Sequence, residues 1–349
     1  MGRWNIRWSI LLVLWCVTGV KLAAMKVESL DRGWFFNRGY ESQAADKVTV
    51  DLPHTWNAAD AMFGNVNYYR GMSTYSRFIV VPSSENFKRV FLRVKAAQTV
   101  ADVYLDNHFV AQHKGGYTSF TVELTHLIRK GEKHKLDIRV SNAQTMEIAP
   151  ICGDFNIWGV ELLYTDDACI DPTFYGSSGV FFTQCDVSEK YAGLEMKALL
   201  SGTEMALNDC SIEFSLLDAK RKVVLCKETS VSGKEALVKM ELNNPHLWDG
   251  VNNPYLYTGV VVLKRGGKEI DRREEHVGFR FYSADPDKGF FLNGKPYSIH
   301  GVNYHEDRAE RASAFRPEDF ESDLNLIQEM GCTAVRLAHY PHAQQLHNL

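Results

Sequence analysis

From Val90 onward, apolar and polar positions alternate for about fifty residues, the period of strands with one buried face. Val90, Leu92 and Val94 share a face, and Ala101, Val103 and Leu105 repeat the pattern. Asp106-Asn107 supply turn chemistry before Phe109, and Phe120, Val122 and Leu124 precede Leu136, Ile138 and Val140. Residues 28–170 therefore read as an antiparallel β-sandwich. A second run of short strands is predicted at Val180–Phe182, Ile212–Leu217, Val223–Lys227, Ala236–Met240 and Tyr257–Leu263. Gly266-Gly267 and residues 252–254 are its turns, and its size is that of an immunoglobulin-like sandwich.

The pattern changes after Asp285. Tyr297–Val302 reads as a strand, Pro317 opens a helix with Phe320, Leu324 and Ile327 on one face, and Gly331 ends it. Ala334–Leu337 reads as a second strand, and the chain reaches Leu349 inside a further helical stretch. Strand, helix, strand in this order is one βαβ unit, the opening of a parallel α/β structure.

Composition narrows the function classes. Lys and Arg number 39 against 43 Asp and Glu, a formal charge of −4. No long basic run is present, so nucleic acid is set aside as a partner. Arg3 and Arg7, the apolar stretch Ile10–Val20 and the small residues Ala23 and Ala24 have the order of a secretory signal over residues 1–24, hence export to the periplasm or the exterior. Six cysteines follow it, Cys152, Cys169, Cys185, Cys210, Cys226 and Cys332, without the spacing of a zinc site. Most of them are expected to be single buried thiols.

Three sets of motifs then fall in one order. The first comprises Leu52-Pro53-His54-Thr55-Trp56-Asn57, Ala101-Asp102-Val103-Tyr104-Leu105 and Gly115-Gly116-Tyr117-Thr118. The second comprises Asn244-Pro245-His246-Leu247-Trp248, Pro254-Tyr255-Leu256-Tyr257 and Val277-Gly278-Phe279-Arg280. The third comprises Phe290-Phe291-Leu292-Asn293-Gly294-Lys295-Pro296, Gly301-Val302-Asn303-Tyr304-His305-Glu306-Asp307, and Ala334-Val335-Arg336 with Ala338-His339-Tyr340-Pro341. From about Trp34 to its last residue the chain resembles glycoside hydrolase family 2, most closely the exported β-galactosidase-like members.

The resemblance implies a jelly-roll sugar-binding domain over residues 25–170, an immunoglobulin-like β-sandwich over 171–283 and the first βαβ unit of a (β/α)8 TIM barrel over 284–349. A whole barrel takes about 250 residues, so this one is expected to be incomplete. It further implies a retaining glycosidase acting on terminal β-linked galactosides, with β-glucuronidase and β-mannosidase as sister specificities. Its two catalytic glutamates are expected beyond Leu349, and no position here inherits either role. A non-catalytic carbohydrate-binding or assembly protein is the rival reading. No cofactor is required within this chain, a cation near the complete site is left open, and a homo-oligomer of the complete protein is compatible with the family.

By the same resemblance His305, Arg336 and His339 match positions lining the subsite for the terminal sugar, at the mouth where barrel loops carry function. Imidazole and guanidinium N–H groups suit hydroxyls and nearby carboxylates. Strand-capping histidines and a structural ion pair of Arg336 are the alternatives. Asp154 matches a family aspartate that reaches into the site from the first domain, although the Arg-containing segment expected after it is missing; a surface aspartate is the alternative. Thr333 and Leu337 depart from the family pattern, which usually has Asn and a small residue there. His342 and His347 lack partners for a metal set and read as surface or core histidines. Glu306, Glu310, Glu318 and Glu321 read as solvated carboxylates. Phe320, Leu324, Ile327 and Val335 are expected to lack their barrel neighbours and to lie exposed, at roughly 1.5–3 kcal/mol each, so the chain should aggregate or fray after about Asp285.

Overall fold

The computed structural model describes residues 25–39, 48–58, 69–84, 86–143, 157–309 and 311–349. The signal-like segment, Cys152, Asp154 and Glu310 lie outside them. The first domain is a sandwich of two antiparallel sheets. One orders its strands Val48–Val50, Trp34–Arg38, Met72–Val80, Lys133–Ser141, Val100–Leu105 and His108–Lys114. The other orders Lys26–Ser29, Ile157–Thr165, Arg89–Ala97 and Phe120–Glu123. The alternating residues predicted to face inward do so: Val90, Leu92, Val94, Ala101, Val103, Leu105, Leu136, Ile138 and Val140 are all buried in one core with Trp34 and Tyr75. Asp106 and Asn107, at φ +49° and +65°, form the two-residue turn whose handedness matches strand twist.

The second domain is again two sheets. Tyr191–Ser201 pairs with Val180–Cys185 on one edge and with Glu235–Asn243 on the other. Cys169–Ile170 also pairs with it, at the border between the two sandwiches. The facing sheet orders Val223–Ser230, Cys210–Leu217, Tyr257–Arg265 and Lys268–Val277. Between the sandwiches Asp271 is almost wholly buried and ion-paired to Arg273 at 2.5 Å. Its carboxylate also accepts the backbone N–H of Ile170 at 2.8 Å and of Met25 at 3.3 Å, tying the start of the first domain to the second.

The buried-thiol expectation fails for most of the described cysteines. Cys169 and Cys210 are buried, but Cys185 and Cys226 are exposed and Cys332 is half-buried. Cys185 and Cys226 sit at outward positions of their strands, and all five thiols are free.

A hairpin of Tyr282–Asp285 and Gly289–Leu292 leads into the barrel portion. The first barrel strand is Gly301–Tyr304, not the predicted Tyr297–Val302. Around residues 298–300 the backbone is engaged by Thr333, whose hydroxyl donates to the Ser298 carbonyl at 2.8 Å and accepts from His300 N–H at 3.0 Å, in place of a longer ladder. The helix Pro317–Glu329, the second strand Ala334–Leu337 and the short helix Gln344–Asn348 follow as read. The two barrel strands are parallel, with Asn303 opposite Arg336.

The barrel helix is not left bare. Ala96 and Trp158 of the first sandwich pack with Tyr304, Phe315, Phe320 and Leu346 in a separate cluster, and Leu324, Ile327 and Val335 rest against it half-buried. Phe320 is 0% exposed, its ring meeting Trp158 edge-on at 5.6 Å. The expected exposure is thereby corrected for Phe320, which the first domain covers through Trp158, whereas Leu324, Ile327 and Val335 stay partly exposed.

Candidate active-site rim

Parallel pairing places the C-terminal ends of both barrel strands side by side, so the residues at these ends and just beyond share one mouth. Alternation turns Tyr304 inward and buries it, while Asn303 and Arg336 are exposed neighbours. The Arg336 guanidinium donates to Asn303 Oδ1 at 3.2 Å and to His339 Nδ1 at 3.3 Å. A guanidinium has no acceptor, so Nδ1 of His339 accepts, and its ring, while neutral, carries its proton on Nε2. His305 and His339 stand with ring centroids 5.2 Å apart at 74°, both exposed. The structure thus brings together three of the four residues singled out in the sequence, and Asp154 lies outside the described residues. Among the described residues no carboxylate lies within ion-pairing distance of Arg336.

The loop from His305 to Arg316 is pinned to the barrel helix by charge. Asp319 accepts from Arg311 at 2.7 Å, from Arg308 at 3.2 Å and from the backbone N–H of Arg316 at 2.8 Å, and Arg308 also pairs with Asp323 at 3.1 Å. Those bonds hold the Asp319 carboxyl below its ordinary value despite its burial. Tyr304 donates its hydroxyl to Asp323 at 2.9 Å, fixing the end of the first strand.

Behind the rim stands Tyr340. Its ring stacks on Tyr117 of the first domain, with centroids 4.4 Å apart at 11°, and on His342 at 4.8 Å and 16°. Glu306 was read as a solvated carboxylate, and the structure corrects this: it is only 4% exposed. Burial pushes its carboxyl up to about 7. Glu318 and Glu321 are exposed on the helix as expected. Of the two further histidines, His342 is buried and donates Nδ1–H to the Tyr340 carbonyl at 2.9 Å, whereas His347 is exposed. No group of three His, Cys, Asp or Glu that could hold a metal exists among the described residues. A cleft of about 910 Å³ is lined by Glu306 and His342 together with Lys95 and Tyr117 of the first domain and Phe182 and His276 of the second.

Sequence reasoning missed Asn303, Glu306, Tyr117 and Tyr340 as members of the site. Asn303 carries a usable signal, since it lies two residues before His305 in the same motif and is, like it, exposed. Tyr117 and Tyr340 sit inside motifs that were singled out, but their stacking joins positions far apart in the chain.

Three family models match in the order of the domains: a glycosyl hydrolase 2 galactose-binding domain-like model over residues 53–150, the glycosyl hydrolases family 2 model over 179–280, and its TIM barrel domain over 286–349. The chain belongs to glycosyl hydrolase family 2. A β-glucuronidase of Bacteroides fragilis is 39% identical over 331 residues, covering 92% of this chain and 47% of that protein. The β-galactosidase BoGH2A of Bacteroides ovatus is 28% identical over 362 residues, covering 96% of this chain and 41% of its own length. Among solved structures, a β-glucuronidase of Bacteroides uniformis superimposes with a TM-score of 0.83 at 28% identity, covering 92% of this chain and 40% of that one. The family 2 chain therefore spans about half, or somewhat less, of the relatives it matches, and these carry more than one sugar specificity in their names.

Proposed function

We propose that this chain supplies the substrate-side rim of an exported retaining β-glycosidase that removes a terminal sugar, and that the sugar is a β-linked glucuronic acid. The observation that carries the reading is the convergence of Asn303, His305, Arg336 and His339 at the ends of two parallel barrel strands. Such a cluster offers directional donors to sugar hydroxyls. Arg336, without a carboxylate partner among the described residues, suits a carboxylate brought by a catalytic acid or by the substrate. Retaining hydrolysis needs two carboxyl groups about 5–5.5 Å apart, and in this reading later barrel strands provide both. The glucuronide assignment is supported by the name of the relative at 39% identity. The β-galactosidase reading keeps the support of the Bacteroides ovatus relative.

The test is steady-state hydrolysis of nitrophenyl β-glucuronide and β-galactoside by the protein carrying its whole barrel. Faster cleavage of the glucuronide is expected, and Arg336→Ala should lower its kcat/KM by about a hundredfold, the scale of one lost transition-state donor. Preference for the galactoside would overturn the sugar assignment. Glycan binding without turnover of any glycoside would overturn the enzyme reading in favour of a carbohydrate-binding protein.

A further inference from the structure

Each rim histidine sits on a different loop, His305 directly after the first barrel strand and His339 two residues after the second. The two rings meet only edge to face at 5.2 Å, a contact too weak to fix two loops relative to each other. The residues that follow them are better placed. Glu306 donates its backbone N–H to the Tyr340 hydroxyl at 2.9 Å, and its Oε1 accepts the backbone N–H of Ala343 at 3.2 Å. His342 closes the same loop on the Tyr340 carbonyl, and Tyr340 is held between the rings of His342 and Tyr117. With Glu306 and Tyr340 both buried, water competes poorly for these bonds.

We propose that Glu306 and Tyr340 are a positioning pair, which fixes the two loops so that His305 and His339 stand at one spacing, with Tyr117 carrying the brace back to the first domain. Neither residue touches the sugar; both act through their neighbours. The use of that spacing for a sugar rests on the function proposed above, whereas the coupling between the loops does not.

Two measurements separate these claims. In this chain, imidazole ¹⁵N–¹H spectra of His305 and His339 report the coupling directly. Tyr340→Phe, which keeps both stacks and removes only the hydroxyl, should shift both sets of resonances, and Glu306→Ala should shift them further. Glu306→Gln, which keeps an acceptor for Ala343, should stay close to the wild type. Unchanged His305 and His339 resonances in Tyr340→Phe and Glu306→Ala would overturn the proposal. In the protein carrying its whole barrel, Glu306→Ala should raise KM and lower kcat, together costing about 10–100-fold in kcat/KM, with Glu306→Gln within about threefold. A loss of folded protein with KM unchanged would mean mere structural support and would also overturn it. Should the wild type hydrolyse no glycoside, the function proposed above fails while the spectra still decide the pairing.

Discussion

Glu306 and His54 respond to pH with opposite sign. Burial lifts the Glu306 carboxyl to about 7, above its ordinary range, so its contribution to stability is fully present below about pH 4.5 and is lost as pH rises through 7. Burial beside Tyr75, at 2.7 Å, lowers His54 to about 4, so its contribution is present above about pH 6.5 and is lost as pH falls through 4. Each is worth at most about 3 kcal/mol, and the two partly cancel in a global melt. Residue-resolved hydrogen exchange should separate them: the barrel loops loosen toward pH 8 and the first-domain core toward pH 4, with Glu306→Gln abolishing the first trend. The sequence made His305, Arg336 and His339 legible because a motif and a strand end coincide there. It hid Glu306, because a carboxylate is exposed by default and its burial is created by residues 340–343, more than thirty positions away.

At the scale of elements, the barrel helix is written locally and fastened non-locally. Proline at its first turn, an apolar face and Gly331 at φ +73° after its end make Pro317–Glu329 readable in advance. Asp319 caps its first turn and gathers Arg308 and Arg311 from the rim loop. Asp319→Ala should cost about 1–2 kcal/mol and release residues 305–316, seen as faster exchange there and at the helix start, with both sandwiches unchanged. In the second sandwich, two long strands escaped the reading for different reasons. Tyr191–Ser201 alternates buried Ala192, Leu194, Met196, Ala198 and Leu200, yet it is rich in residues that favour helices, and pairing on both sides overrides that preference. In Lys268–Val277 the inward positions include Asp271 and Arg273, so an ion pair stands where the pattern would need apolar side chains. Tyr297 and Ile299 mislead in the other sense, alternating like a strand although Ile299 is exposed and the ladder begins only at Gly301.

Across the whole molecule, the first domain braces the barrel portion at two places, through Trp158 on Phe320 and Tyr117 on Tyr340. Trp158→Ala should cost about 3–5 kcal/mol. Exchange protection should fall over residues 317–337 as well as around Trp158, while the Tyr191–Ser201 sheet keeps its own. Equal loss in all three domains would show that they unfold as one unit instead. The same coupling reaches the other end of the chain, where the Met25 amide meets Asp271 beneath both sandwiches. We propose that, if the signal-like pattern is read by a peptidase after Ala24, that amide becomes an ammonium, and a neutral contact turns into an ionic one facing a carboxylate with 1% exposure. Such a cut would then be recorded in the interior: a new chain start acting as a rivet between two domains, held by its charge against Asp271.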